Sequence, residues 1–165
     1  MKKLNFGCGT IIKKGYINVD MQKGKGIDKT FNFYKYPYPF KANSFDEVLI
    51  DNVLEHLENP WRIMREIWRI CKKSAIVRII VPYYNSYYAY ADPTHVNYFN
   101  ETSMEQTLGK VEYSHSNQKE KFEILELNSV PQRFLRFIPK LILNILKRFL
   151  GNIIVELRVR VKVVK

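Results

Sequence analysis

The sequence has few cysteines, and they are not spaced in pairs. Cys8 and Cys71 lie far apart in the chain, which argues against a disulfide framework and against a zinc site built from cysteines. The run MKKLNFGCG at the amino terminus lacks the continuous apolar segment of a secretory signal. Together these features favour a reduced, cytoplasmic protein.

Acidic residues are scarce relative to basic ones. The chain contains 27 lysines and arginines against 16 aspartates and glutamates, and the tail after Pro131 has a single acidic residue, Glu156. The net charge of +11 favours anionic partners such as nucleic acid, lipid headgroups or a phosphorylated substrate. A solvated basic face explains it equally well.

The overall composition is that of one folded domain. Hydrophobic residues make up 46% of the chain and charged residues 26%, which is ordinary for a globular protein. A length of 165 residues suits one core rather than two. We therefore expect residues 1–165 to form a single domain, with functionally different halves at 1–82 and 83–165.

Apolar patterning in the first half predicts strands separated by one helix. The helix begins after Asn59, with Pro60 in its first turn, and ends at Lys72 and Lys73. Because it joins two apolar runs, the unit should form a parallel sheet. The predicted fold class is α/β with a mostly parallel sheet, and its strands are KLNFGC (3–8), INVD (17–20), IDKTFNF (27–33), FDEVLID (45–51) and AIVRIIV (75–81).

The connections between the first three strands are too short for helices. Only TIIKKGY and MQKGKG are available, whereas a parallel crossover normally takes a dozen residues. Either INVD is joined by tight loops, or it is not a strand. With helices reduced on one face of the sheet, we expect an uncovered apolar face, which residues 132–150 could cover in the same chain, in a homodimer or at a membrane surface.

The second half predicts a short helix, a strand, a longer helix and a last strand. The short helix is ETSMEQTLG, capped by Thr102 or Ser103 with Glu105 in its first turn. FEILELNSV follows as a strand, and an apolar helix lies between Pro131 and Gly151 that its lysines and arginines make too short to span a bilayer. In the final run IIVELRVRVKVVK, apolar and charged residues alternate, so one face of this strand should be exposed to solvent or to a binding partner.

Two glycines flank Cys8 at the end of the first predicted strand. Gly7 and Gly9 carry no Cβ, so backbone there can approach a ligand closely. Asp20 ends the next strand, where an acidic residue can accept hydrogen bonds from ribose hydroxyls. The GCG motif alone is weak, and a dinucleotide site would need a third glycine where this chain has Ile11.

The order of motifs adds specificity. LNFGCG, INVD, YPFKANSFDEV, LEHLENP, AIVRIIVP and DPTH together resemble the class I S-adenosylmethionine-dependent methyltransferases, chiefly over residues 3–100. The resemblance implies a Rossmann-like sheet with an antiparallel C-terminal strand. It also implies S-adenosylmethionine as cofactor, bound by Asn5, Gly7, Cys8, Gly9, Asp20, Asn32, Phe33, Asp51, Asn52 and His56.

The chain departs from the family pattern in two places of the glycine loop. Asn5 replaces an acidic residue that family loops often carry, and Ile11 stands where a third glycine is common. Because S-adenosylmethionine has no phosphate to cradle, the missing glycine matters less for a methyltransferase than for a dehydrogenase.

Three histidines are candidates for acid–base chemistry. His95 lies in ADPTHVNYF, where the acceptor should approach, and we predict it as base, with Asp92 as its orienter and Tyr98 nearby. DPTH could equally be a structural turn. His56 could orient its loop or act in catalysis, and His115 fits a solvated loop. No residues are assigned to a metal.

The sequence therefore predicts methyl transfer to a small-molecule or glycan or lipid-linked acceptor. The crowded tyrosines of residues 83–90 suit an aromatic acceptor pocket. The alternative is a catalytically weak module whose basic half holds RNA or an anionic membrane. A nicotinamide-dependent oxidoreductase is the third reading, disfavoured by the poor glycine loop.

Overall fold

The computed structural model describes residues 1–109 and 121–165, and His115, which was predicted to lie in a solvated loop, is outside them. The strands are β1 Lys3–Phe6, β2 Ile17–Asp20, β3 Lys29–Thr30, β4 Phe45–Asp51, β5 Cys71–Pro82, β6 Lys121–Pro131 and β7 Ile154–Val164. The α-helices are α1 Pro60–Ile70, α2 Tyr87–Ala91, α3 Glu101–Thr107 and α4 Lys140–Phe149, with 3₁₀ turns at Leu54–His56 and Arg133–Leu135.

One seven-stranded sheet runs through the described chain in the order β3-β2-β1-β4-β5-β7-β6. β1 to β5 are parallel to one another, whereas β7 is antiparallel to both β5 and β6. The predicted fold class, a Rossmann-like, mostly parallel sheet with an antiparallel C-terminal strand, is therefore confirmed. Because the parallel strands point the same way, the loops after β1, β2, β4 and β5 meet at one edge.

Helix α1 forms where the apolar spacing predicted it. The Asn59 side chain accepts a hydrogen bond from the Arg62 backbone at 3.1 Å, and Pro60 occupies the first turn. The helix buries one stripe, which includes Ile63 and Ile67, against the sheet. This connection provides the parallel crossover between β4 and β5.

INVD is a strand joined by tight loops, the first of the two alternatives. It pairs in parallel with β1 through Leu4 and Ile17. The third strand is shorter than predicted, because only Lys29–Thr30 pair. The residues that follow turn inward instead, and the Phe33 ring stacks on Phe6 with centroids 4.0 Å apart.

The sheet face that lacks helices is polar, which corrects the expectation of an uncovered apolar face. Charged side chains project from it in pairs, so it can be exposed without a cover. The closest pairs are Lys3–Glu47, Arg78–Glu47, Arg158–Glu156, Arg160–Glu126 and Lys162–Glu123. The charged residues of β7 lie on this solvent-exposed face, as the alternation in its sequence predicted.

Helix α4 packs beside α3 and not on the polar face. Its Lys147 ammonium contacts the Glu101 carboxylate, and Leu143 is its buried residue. Helix α3 is capped by Asn100 and not by Thr102 or Ser103 as predicted. Ser103 instead completes a capping box with Asn100, and Glu101, not Glu105, lies in the first turn. Within the described residues, no helix is long and apolar enough to cross a membrane.

Candidate functional site

The loop after β1 is held open by backbone hydrogen bonds to β2. The amides of Gly7 and Cys8 both donate to the carbonyl oxygen of Val19, at 2.9 and 3.0 Å. Gly7 and Gly9 both have positive φ, +70° and +48°, which only glycine adopts without strain. A Cβ on Gly9 would meet no atom within 4 Å, so the loop has open space above it.

Asp20 closes this loop from the neighbouring strand. One carboxylate oxygen accepts from the Gly9 amide at 2.8 Å and the other from the Gln22 amide at 3.0 Å. The carboxylate is therefore fixed in place while each oxygen keeps a further acceptor position. A ribose diol is a ligand that such a half-buried carboxylate suits.

Asn5 supports the loop from behind. Its side chain is buried, and its amide donates to the Ile11 carbonyl oxygen and to Asn18 Oδ1, both at 2.9 Å. An acidic residue here could not make these donations, because a carboxylate only accepts. The departure from the family pattern thus has a structural reason in this chain.

The residues predicted beside adenine differ in exposure. Asn32 is exposed, and its side-chain oxygen accepts from the Tyr34 amide at 2.8 Å. Phe33 is only 2% exposed and belongs to the aromatic core. Asn32 can therefore face a ligand, whereas Phe33 supports the strand end from within.

The loop after β4 lies against the glycine loop. A Cβ on Gly7 would come within 2.5 Å of Val53 Cγ2. Asn52, directly before Val53, has a φ of +52°, and its side chain donates to the Asp51 carboxylate at 3.0 Å. The Gly7–Val53 contact places the predicted cofactor residues that follow β1 next to those that follow β4.

The 3₁₀ turn Leu54–His56 carries a carboxylate that the sequence reasoning missed. Glu55 is 1% exposed, and burial raises the pKa of its carboxyl to about 8. Its backbone carbonyl oxygen accepts from the amides of Val96 and Asn97, at 2.8 and 3.0 Å. The segment after β5 is thereby fastened to the loop after β4.

The two candidate histidines meet at this turn. The rings of His56 and His95 lie edge to face with centroids 4.6 Å apart. His95 Nδ1 lies 2.9 Å from the Ala89 carbonyl oxygen, which can only accept, so Nδ1 carries the proton and Nε2 has the free lone pair. Burial and the neighbouring His95 lower the pKa of His56.

Asp92 orients His56 rather than His95. Its carboxylate accepts from the Thr94 hydroxyl at 2.7 Å, and that hydroxyl lies 2.8 Å from His56 Nδ1. Because the hydroxyl proton goes to Asp92, the hydroxyl oxygen accepts from His56 Nδ1–H. The predicted pairing of Asp92 with His95 is replaced by this relay and by the Ala89 carbonyl.

Exposed tyrosines lie on the segments immediately before and after His95 in the chain. Tyr98 is 45% exposed and stacks on Tyr90 with centroids 4.9 Å apart. Tyr87 and Tyr88 are exposed on α2, whereas Tyr83 is buried and donates to Glu101 at 2.9 Å. Part of the tyrosine cluster is thus core and part is open surface.

Comparison with known proteins finds a matching family model and similar solved structures. Residues 19–79 match the family model described as methyltransferase domain. No curated protein sequence matches the chain. Among solved structures, an Archaeoglobus fulgidus SAM-dependent methyltransferase is 19% identical with a TM-score of 0.65, covering 98% of this chain and 85% of that one.

The chain has the class I methyltransferase fold. Residues 19–79 match a methyltransferase domain, and the Archaeoglobus fulgidus neighbour depends on S-adenosylmethionine. The open space over Gly9 and the fixed Asp20 carboxylate fit that molecule.

Two further neighbours show what this fold allows. The [4+2]-cyclase SpnF is 14% identical with a TM-score of 0.65, covering 98% of this chain and 73% of that one. A Haloferax volcanii protein solved in complex with the Trm112 methyltransferase activator is 12% identical with a TM-score of 0.63, covering 99% and 83%. The class I fold is therefore compatible with other chemistry and with a bound protein partner.

Proposed function

We propose that this protein transfers a methyl group from S-adenosylmethionine to a hydroxyl of a small-molecule, glycan or lipid-linked acceptor. One observation supports this more than any other: the Gly7–Val53 contact joins the glycine loop to the turn that carries Glu55 and His56. The expected cofactor residues and the histidines therefore share one edge of the sheet. The half 1–82 would bind the cofactor, and 83–165 would receive the acceptor.

The cofactor residues have separate tasks in this proposal. S-adenosylmethionine supplies a methyl group on a sulfonium centre that is open to in-line displacement. Asp20 would accept hydrogen bonds from the ribose hydroxyls, and Asn32 would face the adenine. Gly9 leaves the backbone bare so that it can approach the ligand closely.

His95 is the proposed base. The Ala89 carbonyl fixes its tautomer so that Nε2 can take a proton from the acceptor hydroxyl. Asp92 acts one step away, through Thr94, by orienting His56. Tyr98 would border the acceptor together with Tyr90.

The exposed tyrosines suit a sugar or another polar ring compound. Tyr87, Tyr88 and Tyr90 are 68%, 58% and 63% exposed, and their rings offer flat apolar area with a hydrogen-bonding tip. They lie on α2, directly before the Asp92–His95 segment. An acceptor held there would present its hydroxyl beside His95.

The exposed residues of helix α4 suggest that the protein encounters its acceptor at a lipid surface. The helix and the residues on either side of it expose a set of large apolar side chains, here called the α4 apolar surface: Phe134, Phe137, Leu141, Ile142, Ile145, Phe149 and Leu150. Arg133, Arg136, Lys140 and Arg148 are exposed among them. Apolar and basic residues in this arrangement are typical of a helix that lies at an anionic lipid surface, and a lipid-linked acceptor would be found there. A second copy of the chain is the other candidate for this surface.

The RNA-binding alternative is weaker. Its support is the basic last strand together with the basic helix, but on the strand Arg158, Arg160 and Lys162 each contact a glutamate on the polar face. Pairing of this kind reduces the field available to phosphates. No comparable feature of the described residues favours a nicotinamide cofactor.

The proposal is tested in two steps. Thermal unfolding is followed with S-adenosylmethionine, S-adenosylhomocysteine, NAD or short RNA, and only the first two should raise Tm, by about 5–10 °C at 100 times their Kd. Methyl-labelled S-adenosylmethionine is then incubated with lipid, polysaccharide, small-molecule and RNA fractions. Label in a small-molecule, glycan or lipid fraction supports the proposal, and stabilisation by NAD or RNA alone would refute it.

A further inference from the structure

We infer that Glu55, His56 and His95 form a binding site for a divalent transition-metal ion. A carboxylate oxygen of Glu55 and one nitrogen from each ring lie within 4.8 Å of one another. The site lies at the proposed acceptor position, so the inference rests on the proposed function and extends it to the way in which the acceptor hydroxyl is activated.

The Glu55 carboxylate is the first reason. It is 1% exposed, and neither oxygen has a hydrogen-bond partner among the residues that the structure describes. A buried carboxyl group without partners is unfavourable, because its oxygens lose hydration and gain no hydrogen bond in return. A bound cation would supply the missing partner.

The orientation of both histidines is the second reason. Each ring has its Nδ1 engaged, His95 by the Ala89 carbonyl oxygen and His56 by the Thr94 hydroxyl. Both rings are thus left with a free lone pair on Nε2. Histidines that bind metals are usually held in this way, by a second hydrogen bond from the other ring nitrogen.

The donor set indicates the kind of ion. Two imidazoles and one carboxylate suit Zn²⁺, Fe²⁺, Mn²⁺ or Co²⁺ rather than Ca²⁺. Three protein ligands leave a coordination position free, as in catalytic zinc sites. Ligand atoms at about 2.1 Å from a tetrahedral ion are roughly 3.4 Å apart, so binding would draw these three side chains closer together.

The ion would change how the acceptor is activated. A hydroxyl bound at the free position becomes more acidic, and its oxygen more nucleophilic, without leaving the site. His95 would then be a ligand of the ion, and the hydroxyl proton would leave to solvent. No redox change is involved.

Direct metal binding tests the inference. The untagged full-length protein is freed of metal by chelation and titrated with Co²⁺, then with competing Zn²⁺. We expect one equivalent of Co²⁺, visible d–d absorption and displacement by Zn²⁺. The variants Glu55→Gln and His95→Asn should weaken binding at least about 10-fold, and Thr94→Val about 10-fold through the orientation of His56.

The control variant is Glu58→Gln, an exposed carboxylate on the same loop, which should bind Co²⁺ like the wild type. Circular dichroism and stabilisation by S-adenosylmethionine are measured on every variant. Absence of saturable Co²⁺ binding, or binding that none of the three substitutions weakens, would overturn the inference. Because the cofactor is assayed separately, failure of the metal site alone leaves the methyltransferase proposal standing, and failure of cofactor binding does not.

Discussion

Gly7 lies directly against Val53, so that a single added carbon would come within 2.5 Å of a valine methyl. The contact explains a glycine at this position twice over, because the backbone also has φ +70°. The two loops that form the cofactor side of the site are therefore fitted to each other. Their fit depends on the absence of one side chain.

Gly7→Ala should destabilise the protein and the loop together. Overpacking and positive φ each cost about 1–2 kcal/mol, so we expect a loss of about 2–4 kcal/mol in the free energy of unfolding, measured by urea denaturation. Gly9→Ala, with positive φ but open space, should lose only about 1 kcal/mol. Adding Val53→Ala to Gly7→Ala should recover part of the loss, and strictly additive effects would contradict the contact.

His95→Ala should reduce turnover without changing cofactor affinity. Loss of the group that activates the acceptor typically lowers the rate about 100- to 10,000-fold. Turnover is measured as label transferred to the acceptor fraction, and S-adenosylmethionine binding by calorimetry. Glu58→Gln serves as the control. An equal loss of cofactor binding would assign His95 a structural role instead.

The Glu101–Lys147 pair should make stability depend on acid pH. Burial alone would raise the pKa of Glu101, but hydrogen bonds from Lys147, Ser129 and Tyr83 outweigh it and hold the pKa at about 2. Since the unfolded carboxyl has its ordinary pKa of 4.5, this stabilisation is complete above about pH 4.5 and lost as pH falls towards 2. Its size is on the order of 2–3 kcal/mol.

Lys147→Met measures this contribution. The difference in unfolding free energy between wild type and variant should be largest near neutral pH and shrink towards pH 2. Lys140→Met, an exposed lysine of the same helix, should show a small difference that does not change with pH. A constant difference for Lys147→Met would show that the ion pair is not the cause.

The α4 apolar surface should bind anionic membranes. Full-length protein should float with vesicles that contain anionic lipid and much less with neutral ones, since basic residues contribute about 1 kcal/mol each near such a surface. The triple variant Phe137→Ser, Leu141→Ser and Phe149→Ser should lose flotation, whereas Trp61→Ser on α1 should not. Absence of flotation together with a concentration-dependent dimer would assign the surface to a second copy.

Much of the fold was readable in the sequence because its signals are local. The helical spacing after Asn59 and the apolar run of FDEVLID gave the correct elements, and the shortness of TIIKKGY correctly excluded a helix. The polar second face was missed, because charge pairs between β6 and β7 depend on strand register. The pairing of strands that are distant in the chain cannot be predicted from any one short stretch of sequence.

The site was predicted in part for the same reason. His56 and His95 were found as residue types, but their contact across two loops is tertiary. Glu55 was not assigned a role because the motif LEHL does not reveal whether its glutamate is buried, and only the fold shows that the carboxyl group is. Asp92 was assigned to the nearer histidine, whereas Thr94 directs it to His56.

Calorimetric titration with S-adenosylmethionine tests the central claim most directly. The account predicts saturable binding of one equivalent to the wild type, weakened about 10- to 100-fold in Asp20→Asn, because hydrogen bonds to a charged group contribute about 1.5–3 kcal/mol. Asp46→Asn, which removes the same charge near the opposite edge of the sheet, should bind normally. No binding to the wild type, or equal affinity in Asp20→Asn, would contradict the account.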